Sequence, residues 1–432
     1  MTKYLTCSRT EQLYYKESVM KKLTFFAVLL ILASTMIFAS GSQAAASGGK
    51  TEITVQVGSW WSEKIAGMKV DFEREYPQYT VRFEALPING YFDNAAVAIL
   101  AGTAPDVLDI DVTQISSFAG RNLLKDITQL VGSRVRPQDY LQSAWTSSQY
   151  EGKLYGFPSR GSGGVLYYNM TMFDEAGVPY PGDNLTYDEF LAIAMRITVP
   201  GEKYGASIAA DPSDPSNVFS TFCPVLWAYK GDFLSPDGKR CLMNTPEAIQ
   251  AITFWSELLT RYRVVPEGSV NFTSTRDVVP LFEQNRVAMM IHGTGGIEAF
   301  GDNPNVRFGL TQVPGGISRA GGWTLAIPVS VPDSRVNAAV DYILWYSRAD
   351  VQSKHSPIEP SSIAAWDLGP PWNIPMYKQL MISSNNGKLL PSVAGWGEAS
   401  RIVITELQNV LLGRKTPQQA GNDMVTQINP YL

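Results

Sequence analysis

Histidine is nearly missing from this chain: His292 and His355 are the two, and they stand far apart in sequence. A histidine-rich metal site is thereby excluded, and a Ser-His-Asp triad has few ways to be assembled. Charged residues are sparse at 17%, and the formal charge of −5 leaves no basic footprint for nucleic acid. Cysteine is scarce as well. None follows the apolar run near the N-terminus, and Cys7 lies on its wrong side, so a bacterial lipoprotein anchor is not expected. The turn Gly293-Thr-Gly-Gly296 is not followed by Gly-Lys-Ser/Thr, which removes a P-loop reading. Internal repeats and low-complexity linkers are missing too, so any domains must be joined by ordered crossovers. No cofactor and no metal are implied.

What is present is a large apolar and aromatic complement. With 432 residues, 45% of them hydrophobic, the chain can build two domains or one large α/β unit. Met20-Lys-Lys-Leu-Thr-Phe-Phe and the following run to Ala39 have a basic start, an apolar middle and a small-residue end, the pattern of a secretory signal peptide. The run is short for a membrane span and no charged stop follows it. Met20 is the better start, and cleavage is expected after Ala39 or around Ala44–Ala46. Removing residues 1–39 takes away five basic and two acidic residues and moves the formal charge to −8, that of an acidic exported protein. Cys223 and Cys241 remain; export permits a disulfide between them, and two buried thiols are the alternative.

Residues 51–57 alternate polar and β-branched side chains and read as a strand. A helical pattern follows from Glu63 to Tyr76 and stops at Pro77; Tyr79–Ala85 is a second strand, Tyr91–Ala101 a helix, and Asp106–Asp111 a third strand. Strand and helix alternating at this spacing predict βαβ units and a parallel sheet. Between Gly152 and Asn169 two apolar strands flank a Gly/Ser loop with no helix, which suits a passage from one sheet to another. A strand is expected at Arg286–Ile291, a strand pair at Val306–Val313 and Trp323–Pro328, and helices over most of the remainder.

The order of these pieces resembles a known family. Ala104-Pro-Asp-Val-Leu-Asp-Ile-Asp111, Gly152-Lys-Leu-Tyr-Gly-Phe-Pro158, Leu166-Tyr-Tyr-Asn169 and Met172-Phe-Asp-Glu-Ala-Gly177 look like the N-terminal half of sugar-type extracellular solute-binding proteins of ABC importers. Arg286-Val-Ala-Met-Met-Ile-His-Gly293, Gly321-Gly-Trp-Thr-Leu-Ala-Ile327 and Leu411-Leu-Gly-Arg-Lys-Thr-Pro-Gln-Gln-Ala420 look like the C-terminal half. The resemblance, which is to maltose-binding-protein-like chains, covers nearly all residues after the signal segment. It implies an α/β fold: a two-lobed, periplasmic-binding-protein-like clamshell with the ligand cleft between its lobes. Lobe 1 is expected at 40–158 plus 315–350, and lobe 2 at 159–314 plus 351–432. One departure is noted: some relatives carry a Trp soon after the Met-Met-Ile strand, and here His292-Gly-Thr-Gly-Gly has no aromatic.

A sugar presents a face of C–H groups and an edge of hydroxyls. Flat aromatics suit the face; carboxylates, amides and arginine suit the edge. Trp60 and Trp61, directly after the first strand, are expected at a cleft wall, with packing against the next helix as the alternative. Asp111 is a candidate hydroxyl acceptor, or else a helix cap. Glu84, Asn89 and Tyr91 follow the second strand. Arg160, in the first crossover, suits hydroxyls or a substrate carboxylate, or forms an interlobe salt bridge. Trp323 follows two glycines that allow close approach of a ligand. Trp366 and Trp396 lie in the irregular C-terminal region, and Trp396 occupies the position where the family often presents an aromatic to the sugar.

The function implied is an exported, monomeric binding protein that captures a sugar or oligosaccharide and hands it to ABC permease subunits in the membrane, without breaking a bond. It is periplasmic or secreted and binds no nucleic acid. The alternatives are a carbohydrate-active enzyme with carboxylates drawn from Asp109, Asp111 and Glu84, and a sensor that presents sugar to a chemoreceptor.

Overall fold

The computed structural model describes residues 50–88, 90–301, 303–393 and 395–432. The expected signal segment, Cys7 and Asn89 therefore lie outside the described residues. Thr51–Leu432 form one compact unit. No described helix is long and apolar enough to cross a membrane.

Two sheets organise it. The first has the order β2-β1-β3-β10-β6, from β1 (Thr51–Gly58), β2 (Tyr79–Leu86), β3 (Val107–Asp111), β6 (Phe157–Gly163) and β10 (Ala320–Ala326). A two-residue hairpin pairs β4 (Gln149–Tyr150) with β5 (Lys153–Leu154). The second sheet has the order β8-β7-β9, from β7 (Val165–Asn169), β8 (Met289–His292) and β9 (Phe308–Thr311). β1 runs parallel to β2 and β3, as the βαβ pattern predicts, whereas β10 is antiparallel to both β3 and β6. The strands expected as a pair at 306–313 and 323–328 thus belong to different sheets.

Burial follows from strand periodicity. Ile53, Val55 and Val57 of β1 enter one core with Phe72, Tyr342, Trp345 and Tyr346. Leu108 and Ile110 of β3 enter another, with Tyr91, Ile99 and Phe118, on the opposite face. In the second sheet Leu166 joins a large core containing Phe222, Trp255 and Trp396, while Val165 and Tyr167 join Phe282 and Trp366. The central strands β1 and β3 of the first sheet and β7 of the second are buried on both faces, whereas edge strand β2 alternates and stays partly open.

The crossovers fall later than expected. Ser159–Gly163, expected within a Gly/Ser loop, are strand β6: Gly163, Ser162, Gly161 and Arg160 pair with Ala320–Trp323. Pairing demands of this segment only extended backbone, which Gly and Ser do not forbid. The chain leaves the first sheet at Gly164, not after Pro158. The helix Ala349–His355 likewise stays with the first lobe. His355 Nε2 lies 2.8 Å and Lys354 Nζ 2.5 Å from Asp71 Oδ2, on the helix Ser62–Glu75. The last crossover therefore follows His355 rather than position 350.

Cys223 and Cys241 are both buried and unbridged, so the thiol alternative holds. Burial pushes the Cys223 thiol far up, which leaves it unreactive. A reductant such as dithiothreitol is expected to leave the melting temperature unchanged; a reductant-induced drop would reveal a bridge.

Candidate functional site

β1 ends at Gly58, and the 3-10 turn Ser59–Trp61 follows at once. The turn sends the two tryptophans in opposite directions. Trp60 folds back over Gly58, where a Cβ would stand 2.1 Å from its ring, so any larger residue would push the indole aside. Trp61 turns inward, is 1% exposed, and meets the Tyr346 ring at a centroid distance of 5.5 Å.

Beneath the turn lies a buried ion pair. Arg160 Nη2 is 2.6 Å from Asp109 Oδ2, and both side chains are fully enclosed. Trp61 Nε1 donates to the same oxygen at 3.0 Å, and the Tyr91 hydroxyl donates to the Asp109 carbonyl at 2.8 Å. The guanidinium carbon sits between two indoles, 4.6 Å from the Trp61 centroid and 4.9 Å from that of Trp323. Burial pushes the Asp109 carboxyl up; the Arg160 charge and the Trp61 N–H pull it back. Each charge supports the other, because removing either would strand its partner in an apolar interior.

Above the pair lies an aromatic wall. Trp60 and Trp323 meet edge to face at 4.8 Å, and Phe92 stands 5.9 Å from Trp323. All three are half-buried, so each keeps part of its surface open. Trp323 is aimed by a break in register between itself and Thr324. Gly322, at φ 151°, lets β10 lie against β6: a Cβ there would stand 2.2 Å from the Arg160 carbonyl oxygen. The glycines before Trp323 thus admit backbone rather than ligand.

The loop after β8, in the second lobe, approaches the end of β6: a Cβ at Gly293 would stand 3.4 Å from the Gly163 carbonyl oxygen. Tyr167 donates its hydroxyl to the Gly293 carbonyl at 2.7 Å, and His292 Nδ1 lies 3.2 Å from the same oxygen. Burial holds His292 below its ordinary value. Glu359, on the last crossover, is 1% exposed, and its carbonyl accepts the Gly161 N–H at 2.8 Å. Burial raises its carboxyl to about 7.

The structure thus brings Trp60, Trp61, Arg160 and Trp323 together. Tyr91 joins them at 6.3 Å from Trp323, and Asp111 stands opposite Trp323 across the β3–β10 ladder, whereas Glu84, Trp366 and Trp396 are engaged elsewhere. Arg160 is neither exposed to ligand nor an interlobe bridge, because its charge is consumed by Asp109 within the first sheet. Asp111 is a cap, accepting from Thr113 N at 2.9 Å and Thr113 Oγ1 at 2.6 Å. Glu84 sits on edge strand β2 and pairs with Arg82. Trp366 is fully buried beside Trp372 and donates its N–H to the Pro360 carbonyl at 3.0 Å, a structural position. Trp396, 8% exposed, opens the helix Trp396–Leu411 and packs on Phe219 and Phe233 at 5.9 and 5.3 Å. Phe92 and Glu359 were missed. Phe92 had a signal, since it follows Tyr91 at a helix start beyond a strand end. Glu359 had none, because its burial comes from pairing with residues about two hundred positions away.

Among the described residues no group of His, Cys, Asp and Glu is arranged to hold a metal. A surface cavity of about 770 Å³ is lined by Arg134, Arg136, Tyr140, Arg348 and neighbours, and includes none of the aromatic wall.

Known proteins share this fold. Residues 52–353 match the family described as bacterial extracellular solute-binding protein. A binding protein of Brucella abortus is 24% identical over 419 residues, covering 93% of this chain and 97% of that one. A maltooligosaccharide ABC transporter solute-binding lipoprotein of Streptococcus pneumoniae R6 is 24% identical over 422 residues, covering 92% and 94%. The maltose-bound MalE3 structure of T. maritima superposes with a TM-score of 0.77 at 22% identity, covering 88% of this chain and 100% of that one. That likeness establishes the two-lobed fold. The family match covers well over half of the chain, so this protein belongs to the bacterial extracellular solute-binding proteins.

Proposed function

We propose that this protein is an exported carbohydrate receptor that captures a di- or oligosaccharide between its lobes and delivers it to an ABC permease. The observation that carries the reading is the half-open wall of Trp60, Trp323 and Phe92 at the strand ends of the first lobe. Such a surface stacks against the C–H face of a pyranose and excludes water from it. The maltooligosaccharide relative supports the same ligand class. Closure brings the His292–Thr294 loop of the second lobe toward that wall, so ligand shifts the open–closed population. The closed surface is what the permease reads.

Glycoside hydrolysis is not favoured. It needs two carboxylates free to exchange protons with substrate. Here Asp109 is committed to Arg160, Asp111 to a cap and Glu84 to Arg82. The protein acts as a monomer, without nucleic acid, released after its signal segment rather than lipid-anchored.

Melting temperature against a panel of mono-, di- and oligosaccharides, uronates included, tests the reading. A ligand at 100-fold its dissociation constant stabilises the native state by about 2.7 kcal/mol. An upward shift with one sugar class is expected; no shift with any sugar, in protein stripped of co-purified ligand, overturns the assignment.

A further inference from the structure

Glu359 sits where the lobes join. Its carbonyl is held by the Gly161 N–H of β6, in the first lobe. Its carboxyl lies between the lobes: the Gly163 backbone of β6 and the Thr294 hydroxyl both act on it, and Oε1 would lie 3.7 Å from a Cβ at Gly293. Yet neither Glu359 Oε1 nor Thr294 Oγ1 completes a hydrogen bond of normal geometry. The charged group that acts on it, Glu298 of the helix Gly295–Phe300, has the same sign. Tyr167 of β7 feels it from the other side, and His292 ends β8 with a buried, unpartnered Nε2. Among the described residues the groups that favour its negative charge are dipoles, the Thr294 hydroxyl and the Gly163 and Glu359 backbone. A carboxylate enclosed this way is costly, and proton binding is the way such a group is neutralised.

We propose that Glu359 binds a proton in the closed protein, so that a proton is taken up when the lobes close and released when they part. The inference rests on the lobe-closure reading above. The carboxyl is enclosed by residues of both lobes, so parting them exposes it to water and removes the penalty on its charge. Closure is then favoured below neutral pH and disfavoured above it. The sign follows from the direction of the shift: Glu359 is raised from 4.5 to about 7, so its contribution to stability is full below its unfolded value and is lost as pH rises through 7. Capture would be tightest in a mildly acidic exterior, with release favoured where the pH is higher.

Two measurements on sugar-free protein test this. In the first, urea midpoints of wild type and Glu359→Gln are compared at about pH 5.5 and about pH 8.5. The variant keeps the shape and cannot ionise, so it is expected to gain on wild type at the higher pH; a pH-independent difference overturns the proton site. In the second, spin labels at Asp333→Cys and Gln418→Cys, one on each lobe and in a Cys7→Ser background, report the interlobe distance; both positions are exposed, and the native Cys223 and Cys241 are buried. The wild-type distance distribution is expected to shift between the two pH values and that of Glu359→Gln to stay fixed. Unchanged wild-type distances, or the same shift in the variant, overturn the coupling. Adding the sugar identified by the panel is a separate arm. A distance change with sugar but none with pH sinks only the proton linkage, whereas no change with sugar sinks the closure reading itself.

Discussion

Replacing Arg160 with alanine is expected to destabilise the protein by about 3–5 kcal/mol, the range for removing one partner of a buried ion pair. The reason is what it leaves behind. Asp109 is fully enclosed, and among the described residues Arg160 is its one cationic contact, at 2.6 Å, with the Trp61 N–H as the other donor to that oxygen. Without the guanidinium, the carboxylate must either protonate or stay buried unpaired. Two indoles also lose the group wedged between them, at 4.6 and 4.9 Å. Arg160→Lys should recover little, because an ammonium cannot fill a planar slot between two rings. The double variant Arg160→Met with Asp109→Leu should recover most of the loss, since both charges leave together and apolar volume remains. Urea unfolding followed by tryptophan fluorescence reads all four proteins. If Arg160→Ala unfolds at the wild-type midpoint, the pair is not the support assigned to it.

The second large effect is on binding. Trp323→Ala should weaken sugar binding by about 2 kcal/mol or more, roughly 30-fold in Kd, as for a central aromatic in a recognition surface. Trp60→Ala should act in the same direction, because the rings brace one another at 4.8 Å. The two losses should fall short of additive, since removing either ring disorders the other. Trp366→Phe is the control. It deletes the N–H donated to the Pro360 carbonyl and should cost about 1 kcal/mol of stability while leaving Kd unchanged. Titration calorimetry with the sugar that stabilises wild type separates these outcomes. Wild-type affinity in Trp323→Ala would remove the aromatic wall from the site.

The fold was largely legible from the residues. β1, β2 and β3 and the helices between them carry periodic patterns, because each buries one or both faces against a neighbour close in sequence. The order of motifs along the chain then resembled the solute-binding proteins, and the family match agrees. Trp60 and Trp323 could be picked as candidates because an aromatic beside a turn or glycines breaks the local pattern.

Roles were less legible. Trp60 and Trp61 are adjacent, yet one lines the wall and the other is core; the 3-10 turn after β1, and nothing in their own identities, separates them. Trp366 and Trp396 fell in irregular sequence and looked available, but second-lobe aromatics cover them. Arg160 is expected to meet ligand or bridge the lobes because its actual partner, Asp109, is 51 positions away. Glu359 read as nothing, because its enclosure is made by β6 and by the loop after β8. The sequence by itself determined which segments fold, in what order, and which family they make, since those depend on periodicity and local order. Only the tertiary structure decided which polar and aromatic side chains are paired, buried or open, since pairing and burial depend on contacts between residues remote in sequence.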